Sequence, residues 1–97
     1  MPKDLYTEYA VLPGHEQDVE RILQELALFV RSDPSALQFL PYALEPGRRK
    51  YLVLERFLNE QSCHAHLVSP ERRDLIDRLC RHTTANSAVL TWLQAVT

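Results

Sequence analysis

Apolar residues recur along the first third of this chain with the period of a helix. Between residues 19 and 30 they fall three or four positions apart, which predicts an amphipathic helix of about four turns. Gly14 is expected to cap the start of this helix, and Ser32-Asp33-Pro34 to end it. The apolar stripe consists of Val19, Ile22, Leu23, Leu26, Phe29 and Val30.

Four other segments are rich in aromatic and β-branched residues and are therefore predicted to be strands. They are Leu5–Leu12, Leu37–Leu44, Lys50–Leu58 and Ser87–Val96. Pro41 in the second segment removes a ladder hydrogen bond, which indicates an edge strand or a bulge. The intervening stretch Glu45–Arg49 is predicted to be the turn of a hairpin.

Two short helical segments are predicted between the third and fourth strands. Asn59 can cap the first, which runs to about Leu67, and Ser69-Pro70 is a typical start for the second. The run Glu71–Asp74 is expected to form a solvated helix face. The apolar stripe of the second segment consists of Leu75, Ile76, Leu79 and Cys80.

The resulting order, β-α-β-β-α-β, is that of a ferredoxin-like α+β fold with one antiparallel sheet. A chain of 97 residues makes one domain, covering residues 1–97. Because the helices lie on one face of such a sheet, the other apolar face needs a cover. We therefore expect a homodimer that packs through the sheet face.

Composition excludes several classes of function. A net charge of −2 provides no basic surface for nucleic acid, and no apolar run approaches membrane-spanning length. No signal peptide is recognised at the start, so a cytoplasmic location is expected. Cys63 and Cys80 lack metal-binding spacing and are predicted to be two buried, reduced thiols, with a disulfide between them as the alternative.

His66 is the first candidate for chemistry. Cys63, His66 and Leu67 stand at i, i+3 and i+4, so the imidazole should point inward with the apolar residues. A buried neutral imidazole could act as a general base on a phenolic or enolic substrate. Alternatively, it is a structural residue that bonds a backbone carbonyl or Glu55.

Histidine spacing does not predict a metal site. The side chains of His64 and His66 would diverge by about 200° on a helix, so this pair cannot share an ion. His15, His64 and His82 are expected to be exposed. Neither a metal nor another cofactor is predicted.

Glu55 lies in an otherwise apolar strand and needs a partner if it is buried. Arg56 faces the opposite side of the sheet. The partner is therefore either a histidine, in an acid–base pair, or an arginine in a structural or interface ion pair. Several residues could line a site for a planar ligand or could serve core and dimer packing instead: Phe39, Tyr51, Phe57, Cys63 and Trp92.

Several short motifs resemble one known family. Glu55-Arg56-Phe57 ends a strand and is followed by Asn59-Glu60, Ala65-His66-Leu67 and Ser69-Pro70; Leu12–His15 and Asp33-Pro34 match two earlier junctions. In this order and spacing the chain resembles the antibiotic biosynthesis monooxygenases, which are dimeric α+β barrels. The resemblance implies a homodimer with a pocket between sheet and helices.

Members of this family include quinol and polyketide monooxygenases that use no metal or flavin, haem-degrading enzymes and an isomerase. Val53, Phe57 and Cys63 stand where polyketide-type members are expected to carry asparagine, tryptophan and tyrosine. Ile76 stands where haem-degrading members are expected to carry an axial histidine. The resemblance is thus closest to the quinol-monooxygenase-like branch.

That branch implies cofactor-independent oxygenation of a small aromatic or quinol, with His66 and Glu55 as the candidate catalytic residues. A non-catalytic dimer that binds a small hydrophobic ligand is the alternative from another functional class. An isomerase that uses the same histidine is a third hypothesis.

Overall fold

Four strands and three helices make up the computed structural model, which describes residues 1–44, 47 and 49–96. The elements are β1 (Lys3–Ala10), α1 (Glu16–Arg31), β2 (Ala36–Leu44), β3 (Lys50–Phe57), α2 (Glu60–Leu67), α3 (Pro70–Cys80) and β4 (Val89–Leu93). This order confirms the ferredoxin-like α+β prediction. Residues 45, 46 and 48 of the predicted hairpin turn lie outside the described residues.

The strands form one antiparallel sheet in the order β2-β3-β1-β4, so β2 and β4 are its edges. Leu5 pairs with Glu55 on one side and with Trp92 on the other, which places all three on the same face. Pro41 lies in the edge strand β2, as predicted. The one register shift between β2 and β3 falls between Ala36 and Gln38.

The core lies between one face of the sheet and α1. Alternate residues of β1 and β3 point toward the helices, and Tyr9, Tyr51 and Val53 pack there against Val19 and other residues of α1. Burying each large apolar side chain contributes about 1.5–3 kcal/mol. The helical stripe of α1 therefore fastens this helix to the central strands.

Side-chain caps start the two shorter helices at the predicted positions. The side chain of Asn59 accepts a hydrogen bond from the backbone amide of Ser62 at 2.8 Å. In return, the backbone amide of Asn59 donates to the Ser62 hydroxyl. Ser69 caps α3, with Pro70 as its first residue. For α1 the prediction was wrong by one residue: His15 is the N-cap, because Gly14 takes a left-handed φ of 87° in the preceding turn.

The last strand is shorter than predicted. It begins at Val89 and not at Ser87, because Asn86 adopts a φ of 59° and Ser87 bonds the backbone of Ala10 through its hydroxyl. It ends at Leu93, the last residue of β4 that pairs with β1. All five residues of β4 are exposed. None of the helices in the described ranges is long and apolar enough to cross a bilayer.

The helix-free face of the sheet carries many apolar side chains. The register places them on alternate positions of three strands: Leu40, Tyr42 and Leu44 on β2, Leu52 and Leu54 on β3, and Val89 and Leu93 on β4. Tyr42 is 50% exposed and Val89 is 55% exposed. This face is the one on which the sequence predicts a dimer contact.

Candidate functional site

His66 lies on the inner face of α2, as the helical spacing predicts. Its imidazole is buried, and its ring centroid lies 5.0 Å from that of Phe57 and 6.2 Å from that of Phe29. Nε2 lies 2.8 Å from Oδ2 of Asp33. The partner is therefore neither a backbone carbonyl nor Glu55, as the sequence had suggested, but a carboxylate from the turn after α1.

Asp33 is held in place by its own turn. Its Oδ1 accepts hydrogen bonds from the backbone amide and the hydroxyl of Ser35, each at 2.9 Å. The Ser35 amide, the Ser35 hydroxyl and His66 together hold the pKa of this carboxyl below its ordinary value. An ionised Asp33 accepts a hydrogen bond from Nε2–H, so in the neutral imidazole Nδ1 carries the lone pair. Among the described residues nothing bonds Nδ1, which is buried.

Glu55 forms a buried ion pair with Arg72. The two guanidinium nitrogens Nη1 and Nη2 donate to its two carboxylate oxygens, each at 2.8 Å. The prediction of an arginine partner is confirmed, and Glu55 does not orient His66. Arg56 faces the opposite side, as predicted, where it pairs with Asp4.

Arg72 is buried, so the prediction that Glu71–Asp74 forms a solvated face is wrong at this residue. Arg72, Ile76 and Leu79 stand at i, i+4 and i+7, which turns the arginine toward the sheet with the apolar stripe. The prediction that Cys80 is buried is also wrong. Both cysteines are free, but only Cys63 is buried, because the end of α3 faces an open cleft.

That cleft lies on the helix side of β4, which no helix covers. Its volume is about 340 Å³, and its walls include Tyr9, Arg72, Ile76 and Leu90. Leu67 forms its boundary with a second cleft of about 830 Å³. This second cleft is lined by Lys3, Asn59, Glu60, Gln61, Cys63, His64 and Trp92. We refer to the two together as the β4 groove.

The β4 groove has apolar walls and charged groups of both signs, with three cations (Lys3, Arg72 and Arg73) against two carboxylates (Glu60 and Asp77). Burial raises the pKa of Tyr9 to about 12, so its phenol is neutral at physiological pH. The Lys3 ammonium lies 4.7 Å from the centre of the Trp92 ring, in a cation–π contact. Burial also raises the pKa of the Cys63 thiol. The groove therefore offers aromatic and aliphatic contacts beside positive charge.

The predicted ligand-binding residues do not all meet in one pocket. Cys63 and Trp92 line the β4 groove together, and Phe57 lies beneath Cys63 in the same cluster as Leu5. Phe39 and Tyr51 instead lie under α1 on β2 and β3, and the Tyr51 hydroxyl bonds Glu20. Their part in ligand binding stays a prediction.

His66 opens onto a different cleft, of about 430 Å³, at the junction of α1 and α2. This cleft is lined by Phe29, Ser32, Asp33, Pro34, Ala65 and Ser69 besides His66 itself. Phe57 packs against both His66 and Cys63 and thus separates this cleft from the β4 groove. The two candidate places for chemistry flank α2 on opposite sides.

Sequence reasoning missed Asp33 as the partner of His66 and Arg72 as the partner of Glu55. Arg72 could have been found from its helical spacing with Ile76 and Leu79. Asp33 lies 33 residues from His66 along the chain, and no local pattern brings the two together.

The fold, the open groove and the buried polar pairs define a small α+β protein of the ferredoxin-like class with a ligand-sized groove between sheet and helices. The model of the antibiotic biosynthesis monooxygenase family matches residues 5–78. The chain therefore belongs to this family, as the motifs around His66 predict. A search of curated proteins finds no match.

Solved structures agree with this fold over nearly the whole chain. A variant of SnoaB, a cofactor-independent oxygenase from Streptomyces nogalater, is 12% identical with a TM-score of 0.87, covering 99% of this chain and 94% of that one. A candidate antibiotic biosynthesis monooxygenase from Deinococcus radiodurans is 20% identical with a TM-score of 0.86, covering 100% and 94%. A similar candidate from Nitrosomonas europaea is 8% identical with a TM-score of 0.88, covering 98% and 90%.

Proposed function

We propose that this protein is a monooxygenase that needs no metal or organic cofactor and acts on a small quinol or other electron-rich aromatic. The observation that carries the proposal is the buried Arg72 in the wall of the β4 groove, in a chain of this family. In such a reaction the substrate supplies the electrons. A quinol and O₂ give a hydroxyquinone and water, so one oxygen atom enters the substrate and the other leaves as water.

The dimensions and walls of the groove suit an aromatic ring. Small-molecule sites usually occupy about 300–1,000 Å³ and combine apolar walls with a few polar groups. Trp92 and Leu90 lie on the helix side of β4, opposite Leu67 and Ile76 on the helices. A planar substrate would stack on Trp92 and exclude water from its reacting carbon.

Arg72 would favour the ionised substrate. A phenolate gives up an electron to O₂ more readily than a phenol, and a nearby cation lowers the pKa of a bound phenol. Glu55 engages one N–H of each terminal nitrogen, so the guanidinium keeps further donors for an oxyanion. Glu55 would thus position Arg72 rather than touch the substrate.

His66 remains the predicted general base. Its pairing with Asp33 would stabilise the imidazolium that forms when Nδ1 accepts a proton. Nδ1 is buried beside Phe57, so proton transfer from the β4 groove would require α2 to shift. An action of His66 in the separate cleft at the α1–α2 junction is the competing arrangement.

We also propose that two chains pack through the helix-free sheet face. The apolar residues on that face, such as Leu40, Tyr42 and Leu54, would be buried against a second copy. Light scattering should give twice the mass of the chain, and Tyr42→Lys should weaken the dimer. A monomeric wild type would overturn this part of the proposal.

Oxygen consumption with a panel of quinols and anthrones tests the function. The wild type should consume one O₂ per substrate, and Trp92→Ala should raise KM because Trp92 provides contact area without supporting the core. Arg72→Lys should lower kcat, whereas Arg81→Gln on the exposed end of the same helix should not. Folding of each variant is checked by circular dichroism.

His66→Gln, matched with His15→Gln outside both clefts, tests whether His66 is the base. Loss of turnover in the first variant alone supports His66 as the base. Ligand binding by a folded protein without O₂ uptake would instead indicate a non-catalytic binding protein. Conversion without O₂ would indicate an isomerase.

A further inference from the structure

Two histidines that are far apart in the sequence meet at the end of the molecule away from α2. The Nδ1 atoms of His15 and His82 lie 2.9 Å apart, and Nδ1 of His82 lies 3.9 Å from Oδ2 of Asp18. One ligand atom from each of the three side chains lies within 4.8 Å of the others. Among the residues that the structure describes, this is the one such group of three. Neither His15 nor His82 is fully exposed, contrary to the sequence prediction.

Backbone hydrogen bonds fix the two turns that carry these histidines. The amide of Leu12 donates to the carbonyl of His82, and the amide of His15 donates to the carbonyl of Leu12, both at 3.0 Å. An isolated bridge between Val11 and Thr83 joins the same turns. The positions of His15 and His82 are thus set by the main chain and do not depend on their imidazoles.

The distances suit a transition-metal ion. Zinc lies about 2.0–2.1 Å from histidine nitrogens, so two tetrahedral nitrogen ligands stand about 3.4 Å apart. The observed 2.9 Å between the imidazoles needs an opening of only about 0.5 Å, and the Asp18 oxygen needs a closing of similar size toward Nδ1 of His82. Side-chain rotation can supply both movements.

The surroundings also carry suitable charge. His82 follows the C-terminal end of α3, where the helix dipole is negative, and the positive end of α1 beside His15 is offset by Glu16 and Asp18. The exposed ion pair between Asp18 and Arg21, at 3.5 Å, can exchange for a metal contact at low cost.

We propose that His15, Asp18 and His82 form a binding site for Zn²⁺ or a similar first-row transition-metal ion, with the fourth position open to water. Imidazole and carboxylate are ligands that such ions accept. The site would tie the start of α1 to the end of α3. It lies near Val11, whereas Phe57 and His66 lie near Lys3 at the other end of β1, about 26 Å away. Cys80, two residues before His82, lines the β4 groove, but none of the three proposed ligands lines the groove or the His66 cleft. The proposed oxygenation therefore does not depend on the metal.

Titration calorimetry of the tag-free, EDTA-treated full chain with ZnCl₂ tests the site. One Zn²⁺ per chain should bind, and His15→Ala or His82→Ala should weaken binding by at least about tenfold. Saturating Zn²⁺ should raise the Tm of the wild type by roughly 5 °C, since the ion binds only the folded chain. Removing Zn²⁺ should leave oxygen consumption unchanged.

Two controls keep the result specific. His64→Ala should bind as the wild type does, and so should Cys80→Ser, which removes an exposed thiol two residues from His82. If His82→Ala fails to fold, Asp18→Asn and His15→Gln provide the same comparison. No Zn²⁺ binding by the wild type, binding that survives in the histidine variants, or binding lost only in Cys80→Ser would overturn the proposal. In the first case the two imidazoles merely share one hydrogen bond.

Discussion

The helix side of the sheet has a closed half and an open half. Under α1, strands β2 and β3 bury Phe39, Tyr51 and Val53 in a continuous apolar core. Toward β4, α2 and α3 stop short of the edge strand and leave Leu90 and Trp92 about half exposed. The same sheet thus supports a stable core on one side and a ligand-sized groove on the other. The difference shows that the groove exists because no helix packs on β4.

The largest expected effect comes from the ion pair at the boundary between the two halves. Arg72→Met leaves the Glu55 carboxylate buried without its partner and should lower the free energy of unfolding by about 3–5 kcal/mol. Urea denaturation measures the change. The double variant Glu55→Leu/Arg72→Met should recover most of the loss, because no buried charge then remains. A double variant as unstable as the single one would mean that the pair itself holds the boundary together.

Leucines from the two halves provide a direct comparison. Leu26→Ala in α1 removes a fully buried side chain and should cost about 2–5 kcal/mol. Leu90→Ala in β4 removes one that is 48% exposed and should change stability by less than about 1 kcal/mol. Both values come from the same denaturation experiment. Equal losses would contradict the division into a closed and an open half.

The cap of α2 tests the helix that separates the β4 groove from the His66 cleft. Asn59→Ala removes the bond to the Ser62 amide and should destabilise the protein by about 1 kcal/mol. Hydrogen exchange should show that the loss is concentrated in residues 60–67. Gln17→Ala, at an exposed position in the first turn of α1, is the control and should leave α2 exchange unchanged.

The smallest effect concerns acid stability at the His66 cleft. The folded-state pKa of Asp33 is lowered, so its stabilisation is fully present above the ordinary carboxyl value of 3.8. It is lost as the pH falls from that value through the lowered one. Asp33→Asn should therefore show a shallower loss of stability in this range than the wild type. Thermal melts between neutral pH and pH 2 provide the measurement; identical slopes would contradict the shifted pKa.

Most of the helices and strands could be predicted from the sequence, because residues close together in the chain determine where each one forms. The stripe of α1, the caps at Asn59 and Ser69 and the proline of the edge strand were all readable from neighbouring residues. The start of β4 was not, since it depends on the turn at Asn86 and on the bond between Ser87 and Ala10, 77 residues away.

The candidate site was less predictable, because its side chains are paired across long distances in the sequence. The helical period placed His66 inward and indicated that Glu55 needs a partner, and an arginine was one of two partners considered. Asp33 was identified only by the tertiary structure, and so was the pairing of Arg72 with Glu55, because each pair joins different elements. The cluster of His15 and His82 spans 67 residues and left no local signal.

The short edge strand β4 also has a dynamic consequence. Its backbone is paired on one side only, with β1, and both of its faces are exposed. Its amides should therefore exchange with solvent through local opening long before those of β1. Binding of a ligand in the groove should first slow the amide exchange of residues 89–93. The wall proposed to contact the substrate is thus the part of the sheet that can adjust to a ligand's shape.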